Sequence, residues 1–297
     1  MGHVVGFVSD LHGSGDQYEK LVRHVISNLS IRTLILGGDL APRYEDCEHD
    51  FVANQYRFFR GRFVEYMRRI KEARSDLNIF AISGNHDCHI NDDVLGEHPD
   101  LYSFINELRA KIDDEFEIFG YSFCPISTHV IKDRERFDLT ECPIEYARIY
   151  NRIMRGVALK GGESKRTRDW TKFWLEEMTL DPNEFREISI QLHLADPIVT
   201  KDPSRTVYVM HAPPYGTHLD QNFGGGHYGS IAERLFIEKH HPLLVLSGHF
   251  HDTVQASGSF MDRIGSTVCL GTGNQRRELP FIEVDLCKPQ EAKRIML

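Results

Sequence analysis

The amino-acid sequence predicts a layered α/β fold in which β-sheets are covered by helices. Short apolar runs alternate along the chain with segments whose apolar residues recur at helical spacing. Five such runs are each followed within two residues by Gly, Asp or His, which is typical of a buried strand that ends in an exposed loop. The runs are residues 4–8, 34–36, 79–82, 207–210 and 243–246. Because ligands bind at the carboxyl ends of strands in such folds, we expect the polar residues after these runs to meet at one rim.

Helices are predicted where apolar residues are periodic. The first follows residues 10–15 and has apolar side chains at Tyr18, Leu21, Val22, Val25, Ile26 and Leu29. The second is longer, with an apolar stripe at Val52, Tyr56, Phe59, Phe63, Met67 and Ile70. A later helix contains Ile231, Leu235 and Phe236. Two closing strands are predicted near residues 266–270 and 281–286.

The composition is that of a globular protein without a membrane span. The 297 residues are 41% hydrophobic and 27% charged, which suits one large domain over residues 1–297. No apolar run is long enough to cross a bilayer. Lysine plus arginine number 35 and aspartate plus glutamate 44, giving a formal net charge of −9. Nucleic acid is therefore disfavoured as a partner, whereas a small phosphorylated substrate is compatible if metals supply local positive charge.

The cysteines and the N-terminus both favour a cytoplasmic protein. The six cysteines are scattered and form no CxxC pair, a pattern typical of reduced thiols. The first residues lead directly into a predicted strand, and we see no signal peptide. Cys88 follows the block at 84–87 and is interpreted as an ordinary loop thiol in preference to one near a metal.

Residues 132–202 differ in character and are predicted to form a helical insertion or cap. The segment is polar and locally basic within an acidic chain. Its basic residues are Arg134, Arg136, Arg148, Arg152, Arg155, Lys160, Lys165, Arg166, Arg168 and Lys172. We interpret it either as a cap that lines the substrate entrance or as a solvated helical face of mixed charge.

A Gly-rich loop at residues 223–230 also has two interpretations. Its backbone N–H groups could cradle a phosphate. Since no P-loop lysine accompanies it, a flexible turn is the favoured interpretation.

The residues at the five strand ends together have the chemistry of a two-metal hydrolytic site. The blocks are Asp10-Leu11-His12, Gly38-Asp39, Gly84-Asn85-His86-Asp87, His211 and Gly248-His249-Phe250-His251. Two divalent ions about 3.5–4 Å apart can clamp the attacking and leaving oxygens of a displacement and generate a hydroxide at neutral pH. Each block alone has little specificity, but all five in order, each at a strand end, are improbable by chance.

The expected ligands form two sets with one bridge. They are Asp10, His12 and His251 for the first ion, Asn85, His211 and His249 for the second, and Asp39 between both. His249 and His251 reach separate ions only if the chain turns sharply between them, and Gly248 favours such a turn. Imidazole and carboxylate ligands suit manganese, iron, zinc, cobalt or nickel, of which we favour manganese. The surplus positive charge would attract a phosphate and lower the pKa of a bridging water.

His86 is the residue predicted to act directly in the chemistry. It follows Asn85, so its side chain is expected to face the substrate, where it could protonate the leaving oxygen or stabilise developing charge. A single histidine is more often a buried hydrogen-bonding residue, but the block at 84–87 favours the functional interpretation. Asp87 either orients a neighbour or caps the next segment. Spacing gives no metal role to His3, His24, His49, His89, His98, His129, His193, His218, His227, His240 and His241.

These blocks resemble the calcineurin-like metallophosphoesterase superfamily, whose pattern is D-x-H, G-D, G-N-H-[DE], H and G-H-x-H. The match runs from Asp10 to His251 and leaves the insertion unexplained. The resemblance implies a four-layer α/β/β/α sandwich with a dinuclear centre on its rim, Asp39 as the bridge and His86 beside the leaving group. Residues 211–214 and 229–230 are most similar to the Icc-like phosphoesterases.

One position departs from the protein-phosphatase branch of that superfamily. In that branch the metal aspartate is followed three residues on by a second aspartate, which supports the catalytic histidine, and then by a phosphate-binding arginine. Pro42 stands here in place of the supporting aspartate, which puts a strongly tuned His86 in doubt and argues against a protein Ser/Thr phosphatase. Arg43 occupies the arginine position and is either a phosphate contact or an exposed arginine. With Asn85, it is a candidate substrate-binding residue.

The sequence therefore predicts a metal-dependent phosphoesterase. Phosphodiesters are favoured on the resemblance, with attack by a metal-bridging hydroxide. A phosphomonoesterase acting on a nucleotide or small phosphometabolite is the enzymatic alternative, and a DNA nuclease is disfavoured by the acidic charge. From another class, a non-catalytic scaffold on the same fold would have lost ligands, whereas each expected ligand is present. No motif specifies the natural substrate or the oligomeric state.

Overall fold

Two β-sheets packed face to face form the centre of the molecule. The computed structural model describes residues 2–47, 50–155, 160–167, 172–179, 188–195, 201–274 and 278–297. Within these ranges the first sheet has six strands, in the spatial order β16 (Lys293–Met296), β15 (Pro280–Asp285), β1 (Val4–Val8), β2 (Ile31–Gly37), β3 (Asn78–Ile82) and β4 (Ser103–Phe104). Strands β1 to β4 are parallel, and β15 and β16 extend the sheet beside β1 as antiparallel strands.

The second sheet repeats this plan. In the described part of the chain its six strands are, in order, β13 (Met261–Ile264), β14 (Thr267–Gly271), β12 (Leu244–Ser247), β11 (Thr206–Met210), β6 (Glu117–Tyr121) and β5 (Arg109–Lys111). The inner four are parallel, and β13 and β5 close the edges in antiparallel pairings. Two short pairs lie outside the sheets, β7 (Cys124–Pro125) with β8 (Glu135–Arg136) and β9 (Lys160–Arg166) with β10 (Phe173–Thr179).

The inner faces of the two sheets share one apolar core. Val5 and Phe7 of β1 belong to it together with Val209 and Leu246 of the second sheet, and all four are 0% exposed. Helices cover the outer faces, so the parallel strands are apolar on both sides. Such strands give continuous apolar runs, which is why they could be recognised in the sequence.

Helices form the outer layers. Over the first sheet lie α1 (Gly15–Ser27), α2 (Phe51–Phe58) and α3 (Val64–Ala73), and a π-helical turn at Phe59–Phe63 joins the last two. Over the second sheet lies α7 (Ile231–His240). Further helices are α4 (Asp92–Leu95), α5 (Ile144–Arg155), α6 (Ile190–His193) and α8 (Thr253–Ser257). The predicted four-layer α/β/β/α sandwich is confirmed.

The long predicted helix and both closing strands are confirmed as α2 to α3, β14 and β15. Serine caps begin two of the predicted helices, since the Ser14 side chain accepts the N–H of Gln17 and Ser230 that of Glu233. Strands β13 and β16 were not predicted. They are partly exposed edge strands, and such strands carry no continuous apolar run.

The predicted helical character of residues 132–202 is correct only in part. Helices α5 and α6 lie there, but residues 160–166 and 173–179 form the antiparallel pair β9–β10, so the helical prediction was wrong for them. Their faces carry charge, as in the contacts of Lys165 Nζ with Glu163 (2.6 Å) and Glu176 (3.9 Å). Charged strands of this kind lack the apolar alternation that identifies a strand in a sequence. That the segment is an insertion stays a prediction. Two residues named in the sequence analysis, Arg168 of this segment and His49 elsewhere in the chain, lie outside the described residues.

The helices and the cysteines bear on two expectations for the whole chain. Across the described ranges, no helix combines the length and the apolar character needed to cross a membrane. All six cysteines are free thiols. Cys88 packs in an apolar cluster with Phe51, Val52 and Ile131, in agreement with its interpretation as an ordinary thiol.

Candidate metal centre

The five strand-end blocks meet at one rim of the two sheets. The blocks at 10–12, 38–39, 84–87, 211 and 248–251 follow β1, β2, β3, β11 and β12 respectively. Backbone hydrogen bonds join neighbouring loops, because the Asp10 N–H donates to the Gly38 carbonyl (2.9 Å) and the Gly248 N–H donates to the His211 carbonyl (3.0 Å). The convergence that the strand ends predict is therefore present.

Four ligand-type side chains form what we call the first group: Asp10, His12, Asp39 and His251. Their nearest ligand atoms all lie within 4.8 Å of one another. His251 Nε2 is 3.4 Å from Asp10 Oδ1 and 3.1 Å from His12 Nε2. Except for the half-buried His251, these residues are buried. Converging electron-pair donors of this kind fit a divalent cation.

The second group combines an amide, two imidazoles and a thiol: Asn85, His211, His249 and Cys124. Asn85 Oδ1 lies 2.8 Å from His249 Nδ1 and 3.1 Å from His211 Nε2. The Cys124 Sγ falls within 4.8 Å of the ligand nitrogens of both histidines. Sequence reasoning gave Cys124 no role. Its position just after β6, the strand beside β11, was the signal that could have found it.

Asp39, a member of the first group, also faces the second. Its Oδ1 is 3.4 Å from His211 Nε2 and its Oδ2 is 3.8 Å from His12 Nε2, so the two oxygens face different groups, as a bridging ligand requires. Oδ2 is buried and has no hydrogen-bond partner among the residues that the structure describes. An unpaired buried carboxylate oxygen is destabilising, and a bound cation removes that cost. The residues present thus fit a dinuclear centre.

The pKa values separate the four histidines into two kinds. Burial lowers the pKa of His12 to about 3, and burial together with His211 lowers that of His249 to about 3, so both are neutral near pH 7. Burial opposes charge on His211 and His251 too, but adjacent carboxylates outweigh it. They raise the pKa of His211 to about 9 and that of His251 above its usual value. His211 is therefore protonated near pH 7 in the metal-free protein and must lose a proton before it binds a metal.

The backbone at the centre is held in an uncommon conformation. Of the seven non-glycine residues with positive φ in the described ranges, four are expected ligands: Asp10 (60°), His12 (45°), Asp39 (53°) and His249 (66°). This conformation costs on the order of 1–2 kcal/mol per residue. Such strain persists where the surrounding structure enforces it, and it concentrates at functional sites.

The sharp turn between His249 and His251 lies at His249 itself. Gly248, which was expected to form it, is needed instead for space, because a Cβ there would come within 2.0 Å of Ser9 Oγ. The turn directs His249 to Asn85 in the second group and His251 to the first. This separation is the arrangement that two ions would need.

Comparison with known proteins identifies the family. A family model described as calcineurin-like phosphoesterase matches residues 3–253. The chain belongs to the calcineurin-like phosphoesterase family. Membership implies metal-dependent phosphoester hydrolysis, generally at a dinuclear divalent site, and the two groups described above supply residues for one.

Solved structures share the fold of this calcineurin-like phosphoesterase at low sequence identity. One crystal structure has a TM-score of 0.60 at 15% identity and covers 100% of this chain and 99% of that chain. The structure of TT1561 of Thermus thermophilus has a TM-score of 0.53 at 16% identity, with coverage of 100% and 99%. These likenesses concern the fold alone. No protein of curated function matches the sequence significantly.

In this family member, the group that supports His86 is a second histidine. The rings of His86 and His129 are in contact, with centroids 3.9 Å apart and planes tilted by 41°, and His12 meets His86 edge-on at 5.0 Å. His86 Nδ1 is buried without a hydrogen-bond partner in the described part of the chain, so no carboxylate replaces the one missing at Pro42. Burial, together with His86, lowers the pKa of His129 to about 4. Sequence reasoning missed this residue because no motif surrounds it.

A buried ion pair anchors the loop that carries His129. Lys132 Nζ donates to Glu135 (2.6 Å) and to the Ser127 carbonyl (2.8 Å). The Ser127 hydroxyl donates to Glu135 (2.5 Å) and accepts the N–H of His129 (3.0 Å). Removing one partner of a buried pair is strongly destabilising. The network therefore fixes His129 over His86, and the start of the 132–202 segment reaches the site.

Arg43 borders a cavity on the side of the first group. This cavity, of about 430 Å³, is also lined by His12, Asp46 and Asn274. Arg43 is half-buried, and its Nε has no hydrogen-bond partner in the described ranges. Its positive charge opposes protonation of His251. A guanidinium at an open cavity beside ligand-type residues supports the phosphate-contact interpretation.

Asp87 links two loops of the site. Its carboxylate accepts the N–H groups of Leu40 (3.0 Å), Ala41 (2.9 Å) and Gly84 (2.9 Å). It thereby joins the loop after β2 to the loop after β3. Of the two interpretations of Asp87, orientation of its neighbours is the one that the contacts favour.

The N–H groups of the three consecutive glycines in the Gly-rich loop are occupied by Asn222. Those of Gly224 and Gly226 donate to Asn222 Oδ1, both at 3.0 Å, and that of Gly225 donates to the Asn222 carbonyl at 2.9 Å. Occupied donors do not cradle a phosphate, so the interpretation as a turn is supported.

Proposed function

We propose that the protein is a phosphodiesterase that acts on a small phosphorylated substrate. The observation that carries the proposal is the position of Asp39, whose two oxygens face separate groups of ligand-type side chains. The proposed ligands of two divalent ions are Asp10, His12, Asp39, Asn85, His211, His249 and His251. Nitrogen and oxygen donors suit manganese. Bound ions of this kind neutralise phosphate charge and lower the pKa of a coordinated water.

Groups of the protein itself supply orientation and proton transfer. Arg43 binds a phosphate oxygen from the cavity that it shares with His12. His86, half-buried and in ring contact with His129, donates a proton to the leaving oxygen. General acids of this kind contribute about 10²–10⁴-fold to the rate.

Cavities on two sides of the centre favour a diester. One, of about 690 Å³, is bordered by His249, and the other, of about 430 Å³, by His12. A phosphodiester has an organic group on either side of phosphorus, and each cavity can hold one. The net charge of −9 supports a small substrate over nucleic acid. The six free cysteines support a cytoplasmic location.

The test is manganese-dependent hydrolysis of bis-p-nitrophenyl phosphate beside p-nitrophenyl phosphate. We expect the wild-type protein to hydrolyse the diester and Asp39→Ala to have lost this activity. The control variant Asp100→Ala removes an exposed carboxylate away from the site and should be as active as the wild type. Turnover of the monoester alone would replace the proposal with a phosphomonoesterase. If neither ester were hydrolysed while about two ions stayed bound per chain, the phosphodiesterase proposal would fail in favour of a scaffold.

A further inference from the structure

A cavity on the His249 side of the centre is bordered by α5, from the segment 132–202, and by the Gly-rich loop. Its volume is about 690 Å³, and its walls come from β7, α5 and the Gly-rich loop. His249 and Phe250 line it on the side of the metal ligands. An organic group attached to a phosphate at the proposed centre would therefore extend directly into it.

Most side chains of the lining are apolar. They include Ile126, Phe137, Tyr150, Ile153, Met154 and Phe250. Ile126 and Phe137 are buried, whereas Ile153 and Met154, on one side of α5, are half-buried. Arg152 also borders the cavity but is exposed to solvent.

Four polar residues of the lining are already hydrogen-bonded within the protein. Asp138 accepts the hydroxyl of Ser230 (2.6 Å) and the N–H of Ile231 (2.7 Å) at the start of α7. The Nδ1 of His227 lies 2.8 Å from Asp220 Oδ1. Asn222 and Ser127 are occupied as described above. A ligand here gains little from new hydrogen bonds and much from burying apolar surface.

We propose that this cavity binds the organic group of the substrate and that this group is a hydrocarbon, an alkyl chain or an aromatic ring, and not a sugar or a nucleoside. The inference rests on the proposed function, because it takes the phosphate to lie at the metal centre. It gives α5 and the Gly-rich loop a common role, which is to select the substrate by its apolar group.

Two homologous series test the inference separately from the proposed function. The first consists of p-nitrophenyl alkyl phosphates and the second of alkylphosphonates, each from methyl to octyl, with the manganese-loaded protein. We expect kcat/KM in the first series, and the association constant measured by calorimetry in the second, to rise about 2- to 4-fold per methylene until the cavity is filled. Binding of the phosphonates without dependence on chain length would overturn the inference, whether or not the diesters are hydrolysed. Binding that rises with length without any hydrolysis would support the cavity and contradict the proposed function.

A matched pair of variants on α5 locates the effect. Ile153→Glu places a charge in the apolar lining and is expected to remove the dependence on chain length. Asn151→Glu adds the same charge on the same helix at an exposed position and is expected to retain it. Ile153→Trp keeps the lining apolar but fills part of the cavity. The increase in kcat/KM and in the association constant should therefore stop at a shorter alkyl chain. Equal behaviour of the two glutamate variants, or an unchanged limit in Ile153→Trp, would contradict the assignment.

Discussion

The two groups of the proposed metal centre differ in charge and in surroundings. Apart from the shared Asp39, the oxygen donor of the first group is the Asp10 carboxylate, which is negatively charged. The oxygen donor of the second group is the Asn85 amide, which is neutral. The side chain of His251 in the first group is 28% exposed, and that of His211 in the second is 0% exposed. Hard divalent ions prefer carboxylate oxygen. The first group should therefore bind its ion more tightly than the second.

The cavities beside the two groups also differ in polarity. The one beside His12 contains the guanidinium of Arg43, and the one beside His249 is lined mainly by apolar side chains. The centre thus separates a charged side from an apolar side. This asymmetry suits a substrate whose two ends differ in polarity.

Removing the shared ligand should affect both groups at once and have the largest effect. Asp39→Ala deletes the carboxylate that faces both His12 and His211. We expect metal content to fall from about two ions per chain to fewer than one, and turnover to fall by more than the 10–100-fold that is typical of losing an outer-shell partner. Elemental analysis and steady-state kinetics measure both. Two ions retained in this variant would show that Asp39 is not a bridge.

Single-group variants should distinguish the two positions. Asp10→Asn is expected to weaken the tighter of two manganese-binding events, and Asn85→Ala the weaker one, each by about 10–100-fold or more. Calorimetric titration of the metal-free protein resolves the two events. If both variants weakened the same event, the division into two groups would be wrong.

Metal binding should release a proton from the second group. Burial lowers the pKa of His211, but the adjacent carboxylates outweigh burial and raise it to about 9, so this histidine is protonated in the metal-free protein at pH 7. It must lose that proton to become a ligand. Manganese affinity is therefore expected to increase as pH rises from 7 towards 9. Calorimetry in buffers of different ionisation enthalpy measures the released protons, and a release of zero would contradict this protonation pattern.

Removing the Cys124 thiol beside the second group should have the smallest effect on turnover. Burial raises the pKa of Cys124 well above its usual value, so the thiol is neutral near pH 7, and manganese prefers oxygen and nitrogen donors. Cys124→Ser is expected to change manganese-supported turnover by less than about tenfold. A larger loss, or an intense thiolate-to-metal absorption band in the cobalt-loaded wild-type protein, would make Cys124 a ligand.

The residues that sequence analysis identified share one property. Asp10, Asp39 and His211 stand directly behind strands that are buried on both faces, and such strands are visible as apolar runs. Their positions at strand ends then predicted that they would lie together at one rim. The layered α/β class was predictable for the same reason, whereas the four-layer arrangement was implied by the resemblance to the family.

The residues that it missed depend on tertiary contacts. His129 lies in a loop and Cys124 begins the two-residue strand β7, and neither belongs to a motif. Their placement comes from the ring contact of His129 with His86 and from the pairing of β6 with β11. Strand β9 is polar and pairs with β10, whose Phe173 and Leu175 pack against the apolar cluster that contains Phe51. The apolar cavity is assembled from segments far apart in the chain, so no local pattern encodes it.

Asp39 is proposed to bridge two divalent ions, one in each group, and anomalous diffraction from crystals grown with manganese tests this bridging role most directly. We expect two anomalous peaks about 3.5–4 Å apart, one beside Asp10 and one beside Asn85, with the Asp39 carboxylate between them. A single peak, or two peaks that Asp39 does not join, would contradict it.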